Sequence, residues 1–227
     1  MKKIFIILIC SVLTFTAVFK ICYSVDNKIF EVMKTVNSAP TVVIDAGHGG
    51  IDVGTVGIDG SLEKEINLSI ALNLYDFLIV SGIKCALTRE GDNEFYLNGE
   101  TLSRSDVYNR MDYINSFDNA ILISIHQNHF ENENEHGTQI WYSANTQESK
   151  VIADKVLNSV KINLQTDNQR ENKESDNSYY LLYKAVVPSI MIECGFVSNK
   201  EENDKLQNAA YQKQFAYSVL YGVSEEV

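Results

Sequence analysis

Val42-Val43-Ile44-Asp45-Ala46-Gly47-His48-Gly49-Gly50 is the stretch from which the fold is read. An apolar, partly β-branched run ends in a turn that carries one histidine among three glycines. In an open α/β sheet, ligands and catalytic groups gather just beyond the carboxyl ends of strands. Gly47, Gly49 and Gly50 let the backbone pass close beside whatever His48 holds. Alone, the stretch is equally a binding site or a tight turn with an incidental histidine, and the segments around it decide.

Working outward, Ile66, Ile70, Leu74 and Phe77 recur at helical spacing, so Glu63 to Val80 reads as an amphipathic helix stopped by Gly82. Ile83 to Thr88 reads as a strand, Ser103 to Phe117 as a helix, and Ala120 to Ile125 as a strand buried on both faces. A polar loop, 127–137, precedes a strand from Thr138 to Tyr142 and a helix from Val151 to Leu164. Residues 165–178 are almost wholly polar and read as exposed, and Tyr179 to Lys184 reads as an edge strand or irregular chain. Val187 to Ile192 is another buried strand, and Ala209 to Gly222 a closing helix. Strands alternating with helices predict one α/β domain, a twisted, mostly parallel sheet flanked by helices.

Ahead of this domain, Lys2 and Lys3 precede sixteen uncharged residues, Ile4 to Phe19. That length lies between a signal-peptide core and a full span. Residues 1–27 are therefore expected to be a signal peptide or membrane anchor, the uncleaved anchor favoured, with 28–39 a connector and 40–227 the catalytic domain. The chain would be exported, touching the membrane through that segment only. A net charge of −11, with Lys2, Lys3 and Lys20 all in the N-terminal segment, disfavours nucleic acid and anionic lipid as partners. Four cysteines make no disulfide framework, and Cys85 and Cys194 read as buried thiols.

Three apolar strands deliver chemistry at their ends: His48, His126 and Glu193. Glu63, opening the first helix, can return to the same edge. Two histidines and a glutamate with a fourth position open are the ligand set of a catalytic zinc rather than a structural one. A further carboxylate could move the proton. Spacing alone does not say which carboxylate binds and which acts as base.

Here the chain resembles the zinc-dependent N-acetylmuramoyl-L-alanine amidases of the amidase-3 type. The motifs run in order: Ile44 to Gly50 with Asp52 and Gly54, and Leu62-Glu63-Lys64-Glu65-Ile66-Asn67-Leu68. Thr88-Arg89, Arg110 with Asn115, Ser124-Ile125-His126-Gln127-Asn128, and Pro188 to Asn199 follow. The resemblance covers about residues 40–222. It implies His48, Glu63 and His126 as Zn2+ ligands and Glu193 as general base and acid. The implied reaction is hydrolysis of the amide joining N-acetylmuramic acid to L-alanine in peptidoglycan. Gln127, where the family often has alanine, and Glu171, where many members have glycine, are departures expected to touch the substrate groove rather than the metal.

Glu65 is the rival ligand, read as solvent-facing or as standing behind the ligands; His129 and His136 are read as solvated, and Arg89 and Arg110 as ion-pair partners. Small size, an anchor and only 66 residues between His126 and Glu193 resemble the sporulation-specific branch of the family. That branch acts on spore-cortex peptidoglycan before a deacetylase completes muramic-δ-lactam. It implies an activating or localising protein partner and a place at the outer face of the membrane, in the wall or in the forespore intermembrane space. The alternatives are a vegetative autolysin of the same family, a non-catalytic peptidoglycan-binding module, and an amidase using Cys194 as nucleophile.

Overall fold

A computed structural model of the 227-residue chain describes residues 14, 16–25, 28, 39–95 and 106–227. The chain falls into two units, Met1–Ala39 and Pro40–Val227. In the first, residues 16–25 are helical and exposed, and most of the expected anchor lies outside the described residues, as does most of the expected connector. No helix among the described residues is long and apolar enough to cross a membrane.

The second unit is an α/β domain. Its elements are β1 (Thr41–Ala46), α1 (Glu63–Val80), β2 (Cys85–Leu87), α2 (Asp106–Ile114), β3 (Ala120–Asn128) and β4 (Gln139–Tyr142). Then come α3 (Gln147–Asn163), β5 (Lys173–Glu174), α4 (Tyr180–Lys184), β6 (Ser189–Phe196), α5 (Lys200–Leu206) and α6 (Ala209–Val223). The six strands form one sheet in the order β2-β1-β3-β6-β4-β5. β2, β1, β3 and β6 pair in parallel, β4 runs antiparallel to β6, and β5 parallel to β4. The expected mostly parallel sheet is therefore present.

Alternation along β1 and β3 builds two cores. Val42, Ile44, Ile121, Ile123 and Ile125 face α1, α3 and α6, whose Ile70, Leu74, Val156 and Phe215 complete the larger one. Val43, Ala120 and Leu122 face the other way and pack with Met111 and Ile114 of α2 and Leu181 of α4. Two-sided burial explains why β3 reads as an unbroken apolar run.

The differences from expectation have local causes. Tyr180–Lys184 is a helix, not an edge strand, with Leu181 and Leu182 buried. Residues 165–178 are not uniformly exposed. Gln165 Oε1 accepts the Thr138 amide at 2.9 Å, and Asn168 Nδ2 donates to Thr138 O at 3.0 Å, so both side chains are buried. Lys173–Glu174 adds a short edge strand. α3 starts four residues before Val151 because Thr146 caps it, accepting from Ser149 N. α5, too polar for a periodicity signal, is set by the Asn199 side chain accepting from Glu202 N.

Candidate active site

The chain leaves β1 for β2 on one side and later places β3 on the other. The carboxyl ends of β1 and β3 thus border the point where strand order reverses, which is where α/β sheets bind ligands. His48 follows β1 and His126 lies near the end of β3. Glu193 on β6 stands opposite His126 in the β3–β6 register.

The turn after β1 is held through its carbonyls. Arg89 Nε donates to Ala46 O at 2.9 Å, and its Nη2 to Gly47 O at 3.1 Å and Lys64 O at 2.7 Å. Arg110 donates from Nη1 to Ala46 O and from Nη2 to His48 O, both at 2.7 Å. Lys64 Nζ reaches Gly50 O at 2.8 Å and Asp92 at 2.7 Å. Three buried cations therefore clamp four carbonyls of the turn, those of Ala46, Gly47, His48 and Gly50. Arg110 is the expected ion-pair partner, of Asp45 and Asp106. Arg89 instead directs its donors to backbone carbonyls. His48 itself is held at φ +61°, an uncommon conformation for a residue with a side chain.

Glu63 enters at the first residue of α1. Its backbone amide donates to Thr55 O, and Lys64 N to Val53 O, so the loop replaces a side-chain cap. The carboxylate is saturated on its far side. Oε2 accepts Thr55 N at 2.8 Å, while Oε1 accepts Gln127 N at 2.9 Å and Asn67 Nδ2 at 3.3 Å. On the near side, His48 Nε2 lies 3.4 Å from Oε2 and His126 Nδ1 3.1 Å from Oε1. One ligating atom from each of His48, Glu63 and His126 lies within 4.8 Å of the others.

These residues fit a metal ion. Bonds of about 2.0–2.1 Å in a tetrahedron set ligand atoms roughly 3.4 Å apart, which is the His48–Glu63 separation. Asp52 Oδ2, 2.7 Å from His48 Nδ1, fixes the ring as a carboxylate behind a ligating histidine does. Both imidazoles meet glycines: a Cβ on Gly47 would stand 2.3 Å from His126 Cε1 and Nε2, and one on Gly54 2.7 Å from His48 Cδ2 as well as 2.6 Å from Glu63 Oε2.

The protein's own charges tune the groups. Burial opposes the charged form of His48, but the Glu63 and Asp52 carboxylates outweigh it and raise the ring to about 9. Burial likewise opposes ionised Glu63, and the two histidines overcome it, holding the carboxyl far below the usual range. Glu193 goes the other way, raised to about 7, chiefly by burial and further by the Glu63 charge. Its Oε2 is buried without a hydrogen-bond partner among the described residues. A carboxylate next to two imidazoles, with an open acceptor and a pKa near neutrality, is able to take and return a proton.

Other candidates fall away from this centre. Glu65, His129 and His136 are exposed. Cys194 is fully buried, and desolvation pushes its thiol well above the ordinary value, so it is no activated nucleophile. Gln127 corrects an expectation. Rather than facing a substrate groove it is buried, with Nε2 donating to Asn67 Oδ1 at 3.0 Å behind Glu63. Glu171 is exposed, and its carbonyl accepts Gln139 Nε2. Thr55 was not read from sequence as part of the site, and Lys64 and Asn67, though inside a quoted motif, were given no role there, nor was Gln127 paired with Asn67; a polar Asn67 on the buried face of α1 was the available signal.

The sequence profile described as N-acetylmuramoyl-L-alanine amidase matches residues 42–225. The chain belongs to this family. It is an N-acetylmuramoyl-L-alanine amidase, an enzyme that acts on peptidoglycan. Among relatives of the amidase is the germination-specific N-acetylmuramoyl-L-alanine amidase of Bacillus subtilis. It is 30% identical over 190 residues, 82% of this chain and 79% of that protein. The amidase LytC of the same organism is 28% identical over 88% of this chain but only 38% of its own length. Among solved structures, the CwlD amidase of Clostridioides difficile in complex with the GerS lipoprotein superposes with a TM-score of 0.77. It is 34% identical, over 82% of this chain and 98% of that one.

Proposed function

We propose that this amidase is zinc-dependent, with His48, Glu63 and His126 as the ligands and Glu193 as the proton carrier. The mutual approach of the three donor atoms carries the reading. When bound, zinc supplies Lewis acidity, acidifying water and polarising a carbonyl. The residues do the rest. Asp52 fixes the His48 ring. Thr55 N, Gln127 N and Asn67 hold the Glu63 carboxylate to one orientation. Glu193 takes a proton from the attacking water as the new C–O bond forms. It then delivers that proton to the alanine nitrogen as the C–N bond breaks, leaving a lactyl carboxylate and a free amino terminus.

The biological setting we infer is spore-cortex maturation, the first step towards muramic-δ-lactam, with a deacetylase acting next. Its support is that the germination-specific relative and the CwlD structure match over most of their own lengths. LytC, by contrast, is matched over a minor part. That CwlD was solved with a lipoprotein supports an activating or localising partner here. Residues 1–27 would place the 40–227 domain outside the cytoplasmic membrane, where its substrate lies, with 28–39 as connector. Zinc analysis of the full chain, with release of L-alanine amino termini from peptidoglycan, tests the chemistry. Loss of muramic-δ-lactam from the cortex of spores lacking the gene tests the setting; unchanged lactam with altered vegetative walls would favour an autolysin.

A further inference from the structure

Beside Glu193 opens a cavity of about 380 Å3, inside the range of ligand pockets. Trp141 and Tyr179 form one wall, stacked at 4.6 Å between ring centroids. Two cations line it, each over an aromatic face: Arg170 is 4.3 Å from the Phe196 centroid, and Lys173 Nζ 5.1 Å from that of Trp141. They are not equivalent. Arg170 is already engaged, donating from Nη2 to Glu135 and from Nε to His136 O at 2.7 Å. Lys173 has no carboxylate partner among the described residues.

Strand register sets the spacing. Lys173 pairs with Trp141 across β5–β4, and Trp141 with Met191 across β4–β6, two residues before Glu193. Neighbouring strands about 4.8 Å apart put the Lys173 backbone roughly 12 Å from that of Glu193. Two side chains and one amino-acid residue of substrate bridge that span. In peptidoglycan the residue after L-alanine is a glutamate linked through its side chain, which leaves its α-carboxyl free or amidated. On a chain of net charge −11, an anionic substrate group needs local positive charge to be admitted.

We propose that Lys173, seated on Trp141, is a specificity-determining residue that binds the free α-carboxylate of the second stem-peptide residue. The enzyme thereby favours the acidic stem over its carboxamide. This rests on Glu193 working at the muramoyl–alanine amide. Because Trp141 is the only tryptophan in the chain, its emission reports the pocket directly.

The test titrates the full chain carrying Glu193→Gln with N-acetylmuramoyl-L-alanyl-D-isoglutamate and, separately, with the isoglutamine form. The acid is expected to bind about tenfold more tightly, the scale of one charge-assisted contact. Lys173→Gln brings the ratio to about one, Lys173→Arg keeps it, and added salt shrinks it. Equal affinity, a preference that survives Lys173→Gln, or no Trp141 response to either ligand overturns the proposal. Turnover is measured separately with Glu193 intact. Hydrolysis without acid preference overturns the subsite alone. Acid preference without hydrolysis bears out the subsite and overturns the role given to Glu193.

Discussion

Arg110 Nη1 lies 2.7 Å from Asp45 Oδ1 at the sheet's interior, and both side chains are almost wholly out of solvent. The same Asp45 accepts from Thr88 Oγ1 at 2.9 Å and Ser124 Oγ at 2.6 Å. The same guanidinium reaches His48 O. The pair therefore links β1, β3, the residue that follows β2, and α2 to the turn that presents His48.

Removing one partner strands a buried charge, which costs about 3–5 kcal/mol. Arg110→Met is expected to lower unfolding stability by that amount and weaken metal binding through the loosened turn. Denaturant unfolding and zinc titration of the variant check both. Burial pushes Asp45 up, but Arg110 and Ser124 outweigh it and hold the carboxyl at about 2. A depressed folded-state pKa stabilises above the ordinary value of 3.8, and that stability is lost as pH falls towards 2. The acid-unfolding curve should steepen in that window in the wild type and flatten in Asp45→Asn.

Glu193→Gln should keep zinc stoichiometry while kcat falls at least about 100-fold, since an amide cannot carry the proton. Burial already lifts Glu193 to about 7. A bound dication nearby pulls it lower. The acid limb of kcat/KM should therefore have its midpoint at or below 7, activity rising as the base deprotonates. A pH profile of the wild type, and loss of that limb in the residual activity of Glu193→Gln, check this.

Behind Glu63, Gln127 steadies Asn67, which donates to the ligand. Outer groups of this kind are worth about 10–100-fold in metal affinity. Asn67→Ala should fall in that range, with Gln127→Ala smaller because only the Gln127 side chain is lost, which acts through Asn67, while its backbone amide still donates to Glu63 Oε1. Competition with a chelator of known zinc affinity measures each.

Gly47→Ala places a methyl 2.3 Å from two atoms of the His126 ring. Zinc affinity should collapse while the secondary structure, read by circular dichroism, persists. Retained tight zinc would show that the ring has room to give.

Much of this was legible in the residues. α1 runs from Glu63 to Val80 as its apolar spacing requires, because Ile70 and Leu74 have only one face to bury. His48, Glu63, His126 and Glu193 stood out because strand ends and a helix start converge on one sheet edge. What stayed hidden is polar and buried. Gln127 next to His126 looks like a surface residue until Asn67 is found across from it, 60 positions away in sequence. Gln165 and Asn168 read as loop, yet they satisfy both backbone groups of Thr138. Such pairings are long-range, and local periodicity carries no trace of them.

The central claim is that three side chains hold zinc for amide hydrolysis. The most direct measurement is zinc content of the full chain purified without added metal, alongside release of L-alanine amino termini from purified peptidoglycan. One equivalent of zinc is expected, with release abolished by chelation and restored by zinc, and both lost in His126→Ala. Release that survives complete metal removal, or stoichiometric tight zinc in His126→Ala, would contradict it.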